Sequence, residues 1–434
     1  MIGVILAGGK GTRLYPLSKN TPKALIEIGD KPIIEHQILL LKRDGIEEIF
    51  ILSGYMGNKI KEYLHEKKWN VKIHYYQEKV LLGTAGALKT LEEKIKEDFL
   101  VFSGDIMTDF DVKRFINYYR QKRGIASIIV HPNDHPFDSD LVEVDKTGKI
   151  DSLLIRPHPP EINFRNLSIA SVFIFSPDIF KYIPENKKCD IEKDILPIIL
   201  KSKEKIYAYS TPEYIKDIGT PKRLEDVRHD YLSGKIRKSN LKNKRKAIFF
   251  DRDGVICEEV DQLSRVENLK IYNFSAKAIK TINNSDFLAI IITNQPMIAK
   301  GFMTEKTLAE IHKRLETELG KKGAKIDAIY YCPHHPEKGF AGERPELKIK
   351  CNCRKPKIGL FLQAKKEFNI DFKKSYLIGD KTSDILAGKR AGCKTILVKT
   401  GYGGSDKLYS VKPDSTVNNL LEAVRINLNY NQNE

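Results

Sequence analysis

The chain has 434 residues, 41% of them hydrophobic and 30% charged, with a formal net charge of +17. That length exceeds one comfortable core and suits two α/β domains of about 200 residues each, either large enough to fold alone. The basic residues are spread along the chain and dominated by Lys, as on solvated surfaces, so nucleic acid is not expected as a partner and phosphorylated small substrates suit the surface better.

The opening "MIGVILAGG" enters a strand directly, without the basic region, apolar stretch and cleavage site of a secretory signal. No apolar run approaches the roughly 18 to 20 residues of a membrane span. A cytoplasmic protein with no membrane partner is expected. The six cysteines are unevenly placed, unlike a disulfide scaffold.

Up to residue 234, apolar runs such as "EEIFILSG", "FLVFSGD" and "GIASIIVHP" alternate with helical stretches such as "KPIIEHQILLLKRDG". This alternation predicts a mostly parallel sheet flanked by helices. "SGKIRKSNLKNKRKA" interrupts it, and residues 235–245 read as a basic, solvated linker. From residue 246 the alternation resumes through "KAIFFDRDG", "FLAIIITNQ", "AKIDAIYYC", "KSYLIGD" and "KTILVKT", defining a second α/β domain over 246–434.

"LAGGKGTRLYPLSKNTPKAL" follows the first predicted strand, and Gly8, Gly9 and Gly11 let backbone amides approach an anion closely. It fits neither the P-loop nor the dinucleotide G-x-G-x-x-G pattern. Together with "LGTAGAL", "FSGD" and "YIKDIGTP" in order, it resembles the signature of sugar-1-phosphate nucleotidyltransferases over roughly residues 1–232. The resemblance implies a Rossmann-like fold in which a sugar phosphate oxygen attacks the α-phosphorus of a nucleoside triphosphate. Arg13 and Lys23 would hold phosphates, Asp105 and Asp217 would ligate Mg²⁺, and Gly8, Gly9, Gly11, Thr12 and Gly83 would receive nucleotide and sugar. Gln77 or Glu78 would touch the base. The attacking phosphate is already anionic, so no general base is required. Two departures point to a different sugar pocket: the usual Glu-Lys-Pro is "IRP" with Arg156, which can still bind phosphate, and the usual Asn-Ala-Gly is "IAS" at Ile169 to Ser171. "HPNDHPFDSDLVEVD" suggests a heptose-type subgroup.

"FFDRDGV" sets Asp251 and Asp253 two residues apart after a buried strand, and "IITNQ", "CRKP" and "LIGDKTSD" follow in order. These motifs resemble those of the haloacid dehalogenase phosphatase superfamily. By that resemblance Asp251 is the nucleophile and Asp253 the acid and base, while Thr293 bonds the phosphoryl oxygens and Lys355 stabilises transferring charge. Asn294 and Arg354 would read substrate oxygens. Asp251, Asp253 and Asp380 would hold Mg²⁺, supported by Asp384.

Cys332 and His334, with Cys351 and Cys353, supply four ligands for a tetrahedral zinc in a segment that has no core of its own. Four protein ligands make the metal structural, and spacing leaves His335 as a rival to His334. This pattern beside the phosphatase motifs resembles heptose bisphosphate and histidinol phosphate phosphatases. The leading expectation is a fused enzyme: a phosphatase converting D-glycero-D-manno-heptose 1,7-bisphosphate to the 1-phosphate, and a nucleotidyltransferase, guanine-specific by resemblance, making the nucleotide-sugar. Mannose or another sugar, a histidinol phosphatase fusion and a non-catalytic scaffold are the alternatives. The oligomeric state is open, a homo-oligomer included.

Overall fold

The structure is a computed structural model describing residues 1–159, 161–260 and 263–428. Met1–His131, Ser139–Arg156 and Leu167–Asn240 form one compact unit, while Pro132–Asp138, Pro157–Asn166 and the chain from Leu241 form a second.

In the first unit, runs of β-branched and aromatic residues form β1 (Ile2–Ala7), β2 (Glu48–Ser53), β3 (Lys72–Gln77), β4 (Phe99–Ser103), β5 (Ile106–Asp109), β6 (Ala126–His131), β7 (Leu141–Val144), β8 (Ile150–Leu154), β9 (Ser168–Phe175), β10 (Ile206–Ser210) and β11 (Tyr214–Asp217). Helices α1 (Ile33–Arg43), α2 (Gly83–Lys89) and α3 (Pro221–Leu232) pack around them. The main sheet runs β8-β7-β9-β4-β1-β2-β3, with β6 beside β9 and β10 beside β6. Strands β4, β1, β2 and β3 are parallel, as the alternating pattern predicts, but β9 returns antiparallel to β4 and makes the sheet mixed. Successive residues serve opposite faces: Val4 and Val101 enter one core, and Ile5, Leu100 and Phe102 the other. Both faces are therefore covered, and the open ground lies at the carboxyl ends of the parallel strands, where ligands of such sheets bind.

The second unit repeats that logic with a six-stranded parallel sheet. Its strands are β12 (Lys246–Phe250), β13 (Phe287–Asn294), β14 (Ala328–Cys332), β15 (Tyr376–Gly379), β16 (Lys394–Val398) and β17 (Ser415–Val417), with α4 (Ser275–Asn283), α5 (Glu305–Gly320), α6 (Gly359–Phe368), α7 (Thr382–Ala391) and α8 (Leu420–Asn427) against them. Their order is β14-β13-β12-β15-β16-β17. Ile248 and Phe250 point into one core and Ala247 and Phe249 into the other. Burying each such large side chain contributes about 1.5–3 kcal/mol. Asp251 and Asp380 directly follow central strands β12 and β15, so topology alone brings them to one edge.

Within this unit Phe164 and Arg165 lie on α5: the Phe164 amide donates to Thr317 Oγ1 at 3.0 Å, and Arg165 Nε donates to the buried Glu316 at 2.5 Å. Lys325 Nζ likewise donates to the Pro132 carbonyl. The basic stretch expected as a solvated linker is instead partly structured. Lys235–Lys238 form a helical turn, and Ile236, Leu241 and Arg245 are buried. The apolar residues spaced among its lysines anchor it: Ile236 joins a first-unit core and Leu241 a second-unit core. Among the described residues no helix is long and apolar enough to cross a membrane.

Candidate active sites

In the first unit the chain leaves β1 into the glycine loop. Gly11 has φ 68°, and a Cβ there would lie 2.8 Å from Lys23 Cγ, so glycine both makes the turn and leaves room for the lysine. A Cβ on Gly9 would meet nothing within 4 Å, leaving that backbone open to a ligand. Thr12 starts a short 3-10 turn carrying the exposed Arg13. Lys23 Nζ donates to Asp105 Oδ2 at 2.8 Å, and Ser103 Oγ donates to Oδ1 at 2.7 Å. Burial by itself would raise the Asp105 carboxyl, but Lys23 and Ser103 hold it below its ordinary value, ready as an anionic ligand.

Asp217 reaches the same place through backbone pairing. β11 runs antiparallel to β5 with Asp217 opposite Ile106, and the Ile218 amide donates to the Asp105 carbonyl. Arg13 is there as well, since a Cβ on Gly219 would sit 3.2 Å from its guanidinium. The structure thus brings Arg13, Lys23, Asp105 and Asp217 together. It adds Arg223 on α3, whose guanidinium reaches both oxygens of Asp217 at 3.1 and 2.8 Å, a residue that the sequence reading passed over. Of the two candidates near the base, Glu78 lies at the glycine loop, where a Cβ on Gly8 would come within 2.9 Å of it. Gln77 is exposed, its amide oxygen accepting a long hydrogen bond from Tyr75. Gly83 opens α2 at φ 76°, and a Cβ would lie 2.4 Å from the Cys189 carbonyl, so glycine admits the segment that follows Cys189. Arg156 donates from its backbone amide and Nε to Asp140.

In the second unit the carboxylates of Asp251, Asp380 and Asp384 offer ligand atoms within 4.8 Å of one another, all in buried residues. Lys355 Nζ bridges Asp251 at 2.9 Å and Asp384 at 2.7 Å. Lys355, even with Lys381 within electrostatic reach, leaves three buried carboxylates short of balance. Burial first, then Asp384 and Asp251, pushes Asp380 up to about 8, and its Oδ1 is buried without a hydrogen-bond partner. Gly254 and Gly401 admit this side chain, because a Cβ on either would lie 2.3 Å from Asp380 Oδ2. The charge and oxygen donors of this set fit a divalent cation coordinated by oxygen.

The carboxylate of Asp253, expected among the metal ligands, is outside that set. Arg252, fully buried, forks it with Nε on one oxygen and Nη2 on the other, both at 2.9 Å, while Gln295 Nε2 adds a third donor at 2.9 Å. Burial would raise Asp253, but this guanidinium keeps it low. The third arm of Arg252 donates to His312 Nε2 at 3.2 Å, and burial followed by Arg252 holds that imidazole neutral. Arg252 was legible as the one cation inside "FFDRDG"; His312, on α5, carried no motif. Thr293 is buried at the end of β13 and accepts from Gln295. Asn294 clasps the backbone of Lys355 through both its amide atoms, and Arg354 reaches the His334 carbonyl at 3.4 Å. Lys381 faces Glu259 at 2.9 Å and lies over the Tyr402 ring; against the pull of burial, Asp251 and Glu259 raise it, so it stays a cation.

Cys332, His334, Cys351 and Cys353 also converge. Cys353 Sγ lies 3.1 Å from Cys332 Sγ and from His334 Nδ1, and 3.2 Å from Cys351 Sγ. The edge of a tetrahedron around zinc with sulfur ligands is about 3.8 Å; Cys332 Sγ lies 3.6 Å from Cys351 Sγ and 3.7 Å from His334 Nδ1, near that edge, and the donor set is one that suits zinc. His334 is the imidazole in the cluster, whereas His335 turns toward Glu337.

Comparison with known proteins agrees with this geometry. Residues 2–234 match the nucleotidyl transferase family, and residues 352–423 match a HAD-hydrolase-like family. The chain belongs to the nucleotidyl transferase family, carrying at its C-terminal end a phosphatase of the HAD type. Over 165 residues it is 43% identical to the D-glycero-alpha-D-manno-heptose-1,7-bisphosphate 7-phosphatase of Photorhabdus laumondii, covering 38% of this chain and 88% of that one. Over 252 residues it is 32% identical to the mannose-1-phosphate guanyltransferase of Saccharomyces cerevisiae, covering 56% of this chain and 66% of that one. HddC from Yersinia pseudotuberculosis, solved with GMP-PN, is 26% identical, with a TM-score of 0.46 and coverage of 53% and 99%. The protein is an enzyme with a nucleotidyltransferase and a phosphatase in one chain.

Proposed function

We propose that the two halves act in succession on one heptose: the phosphatase removes the 7-phosphate of D-glycero-D-manno-heptose 1,7-bisphosphate, and the nucleotidyltransferase joins the resulting 1-phosphate to GMP from GTP. The observation that carries this is the presence, in one chain, of a part 43% identical to a heptose bisphosphate 7-phosphatase and a part 32% identical to a mannose-1-phosphate guanyltransferase. The similarity to a mannose-1-phosphate guanyltransferase supports guanine as the base.

In the phosphatase, Asp251 attacks phosphorus and forms an aspartyl phosphate. Asp253 protonates the leaving sugar oxygen and then takes a proton from the attacking water, which requires substrate binding to release the Arg252 and Gln295 contacts that otherwise keep its carboxyl ionised. Lys355 and Thr293 stabilise the transferring group, and Asn294 holds the backbone that presents Lys355. Mg²⁺ held by Asp251, Asp380 and Asp384 would neutralise phosphoryl charge. Zinc held by Cys332, His334, Cys351 and Cys353 would tie down the intervening segment, with no ligand position left for catalysis.

In the nucleotidyltransferase, Arg13 and Lys23 hold the triphosphate beside the glycine loop while the sugar phosphate oxygen displaces pyrophosphate. Asp105 and Asp217 would hold Mg²⁺, which would offset charge on both anions, and Arg223 steadies Asp217. The test supplies heptose 1,7-bisphosphate, in either anomer, with each nucleoside triphosphate and follows phosphate, pyrophosphate and nucleotide-sugar by mass. Loss of the anomeric phosphate, or no transfer to the monophosphate with any nucleotide, would overturn the reading.

A further inference from the structure

β9 enters the first-unit sheet through an irregular stretch. Its register against β6 shifts between Ile169 and Phe173, and within that shift Ser171 stands at φ 52°, a region uncommon for any residue with a side chain. Ser171 Oγ donates to Glu192 Oε1 at 2.7 Å. Two residues before Glu192, Asp190 accepts from Thr84 Oγ1 of α2 at 2.9 Å, which ties this segment to the loop at Gly83. Pairing of Val172 with Phe102 sets Ser171 beside the carboxyl end of β4, where Ser103 contacts Asp105. The cluster therefore borders the nucleotidyl-transfer site.

Asp140 completes it. Only 4% of this residue is exposed; Oδ1 accepts from the Arg156 amide at 2.9 Å and Nε at 3.2 Å, while Oδ2 is buried with no hydrogen-bond partner. A buried acceptor without a donor is a standing deficit that a ligand can fill. Glu192 lies within electrostatic reach of both Asp140 and Arg156, and burial above all, with Asp190 and Asp140 adding, pushes its carboxyl up to about 7. Near neutrality it can thus either donate or accept. With the Arg156 guanidinium already against Asp140, a neutral hydroxyl suits the gap better than a further cation.

We propose that Asp140 and Glu192, presented by Arg156 and Ser171, bind hydroxyls of the sugar 1-phosphate and decide which sugar the nucleotidyltransferase accepts. This rests on the transferase reading above. A sugar placing hydroxyls at both carboxylates satisfies them, whereas one lacking such a hydroxyl leaves a buried acceptor unpaired, a strong form of discrimination.

The test is steady-state kinetics of the full chain, Glu192→Gln and Asp140→Asn with GTP, Mg²⁺ and either D-glycero-D-manno-heptose 1-phosphate or mannose 1-phosphate. Each variant is expected to raise the KM for the preferred sugar about tenfold or more, and to narrow the kcat/KM ratio between the two sugars. The KM for GTP should stay within about twofold, since these residues do not touch the nucleotide in this proposal. If Asp140→Asn loses its fold with the Arg156 contact, Glu192→Gln decides alone. Unchanged sugar KM and sugar ratio in a folded Glu192→Gln variant would overturn the inference, as would a shifted magnesium requirement in their place. Failure of the unaltered enzyme to use any sugar 1-phosphate would instead overturn the transferase reading itself. A preference for a third sugar moves the same comparison to that sugar.

Discussion

Asp105 and Asp251 each sit in a separate hydrogen-bonded and ionic setting, Asp105 with Lys23 and Ser103, Asp251 with Lys355. Asp105→Asn should lower nucleotidyl transfer by about a hundredfold or more while phosphatase activity persists, and Asp251→Asn should do the reverse. Loss of both activities in either folded variant would refute the assignment. Glu192 makes a second prediction, about pH. Its carboxyl sits at about 7 in the fold against 4.5 ordinarily, so between those values the folded chain retains a proton that the unfolded chain releases. Stability then falls as pH rises through that window, by up to about 3 kcal/mol, and the loss is complete above it. Glu192→Gln should abolish this component. Denaturant titrations of both proteins at pH 4.5, 6 and 8 should show the gap between them opening with pH; parallel curves would contradict it.

The segment from Cys332 to Cys353 follows β14 and contains little regular structure beyond a 3-10 turn at Pro345–Leu347. Four potential ligand side chains from its two ends meet at one point, so a metal held there would replace the apolar packing such a segment otherwise needs. Cys351→Ser should reduce bound zinc well below about one ion per chain and make the segment an early site of proteolysis, while nucleotidyl transfer is retained. Elemental analysis of anaerobically prepared, chelator-free protein checks the stoichiometry, and finding no zinc in the unaltered chain would end this account. Arg354 links this element to the phosphatase chemistry by sequence and by contact: it lies between Cys353 and Lys355 and reaches the His334 carbonyl. Phosphatase activity should therefore fall with zinc loss as well.

For the whole molecule, the chemistry orders the reactions. The phosphatase must act at the position distant from the anomeric carbon, because the transferase needs the anomeric phosphate as its nucleophile. Nothing in either site requires a direct transfer of the intermediate. An equimolar mixture of the Asp105→Asn and Asp251→Asn proteins should thus convert heptose 1,7-bisphosphate and GTP to nucleotide-heptose, with free 1-phosphate detectable on the way. A mixture that makes the monophosphate but no nucleotide-sugar, under conditions where the unaltered chain makes both, would show that the two centres must share a chain.

Sequence by itself determined the two reaction classes, because both depend on short, contiguous motifs at strand ends. The glycine loop, "FSGD", "FFDRDG" and "LIGDKTSD" carry their own local geometry, and parallel strands deliver their aspartates to the carboxyl edge of the sheet each belongs to. The cluster of Cys332, His334, Cys351 and Cys353 was legible for the same reason, as two close pairs with compatible chemistry. Tertiary structure alone decided what depends on distant neighbours. It replaced Asp253 by Asp384 in the carboxylate cluster, since Arg252 occupies both oxygens of Asp253. It chose His334 over His335, placed Arg223 on Asp217, and folded part of the stretch read as a linker around Ile236 and Leu241. It also gathered Asp140, Arg156, Ser171 and Glu192, which belong to no one motif. Each outcome turns on a hydrogen bond, an ion pair or burial set by chain segments far apart in sequence, and residue order does not encode such distances locally.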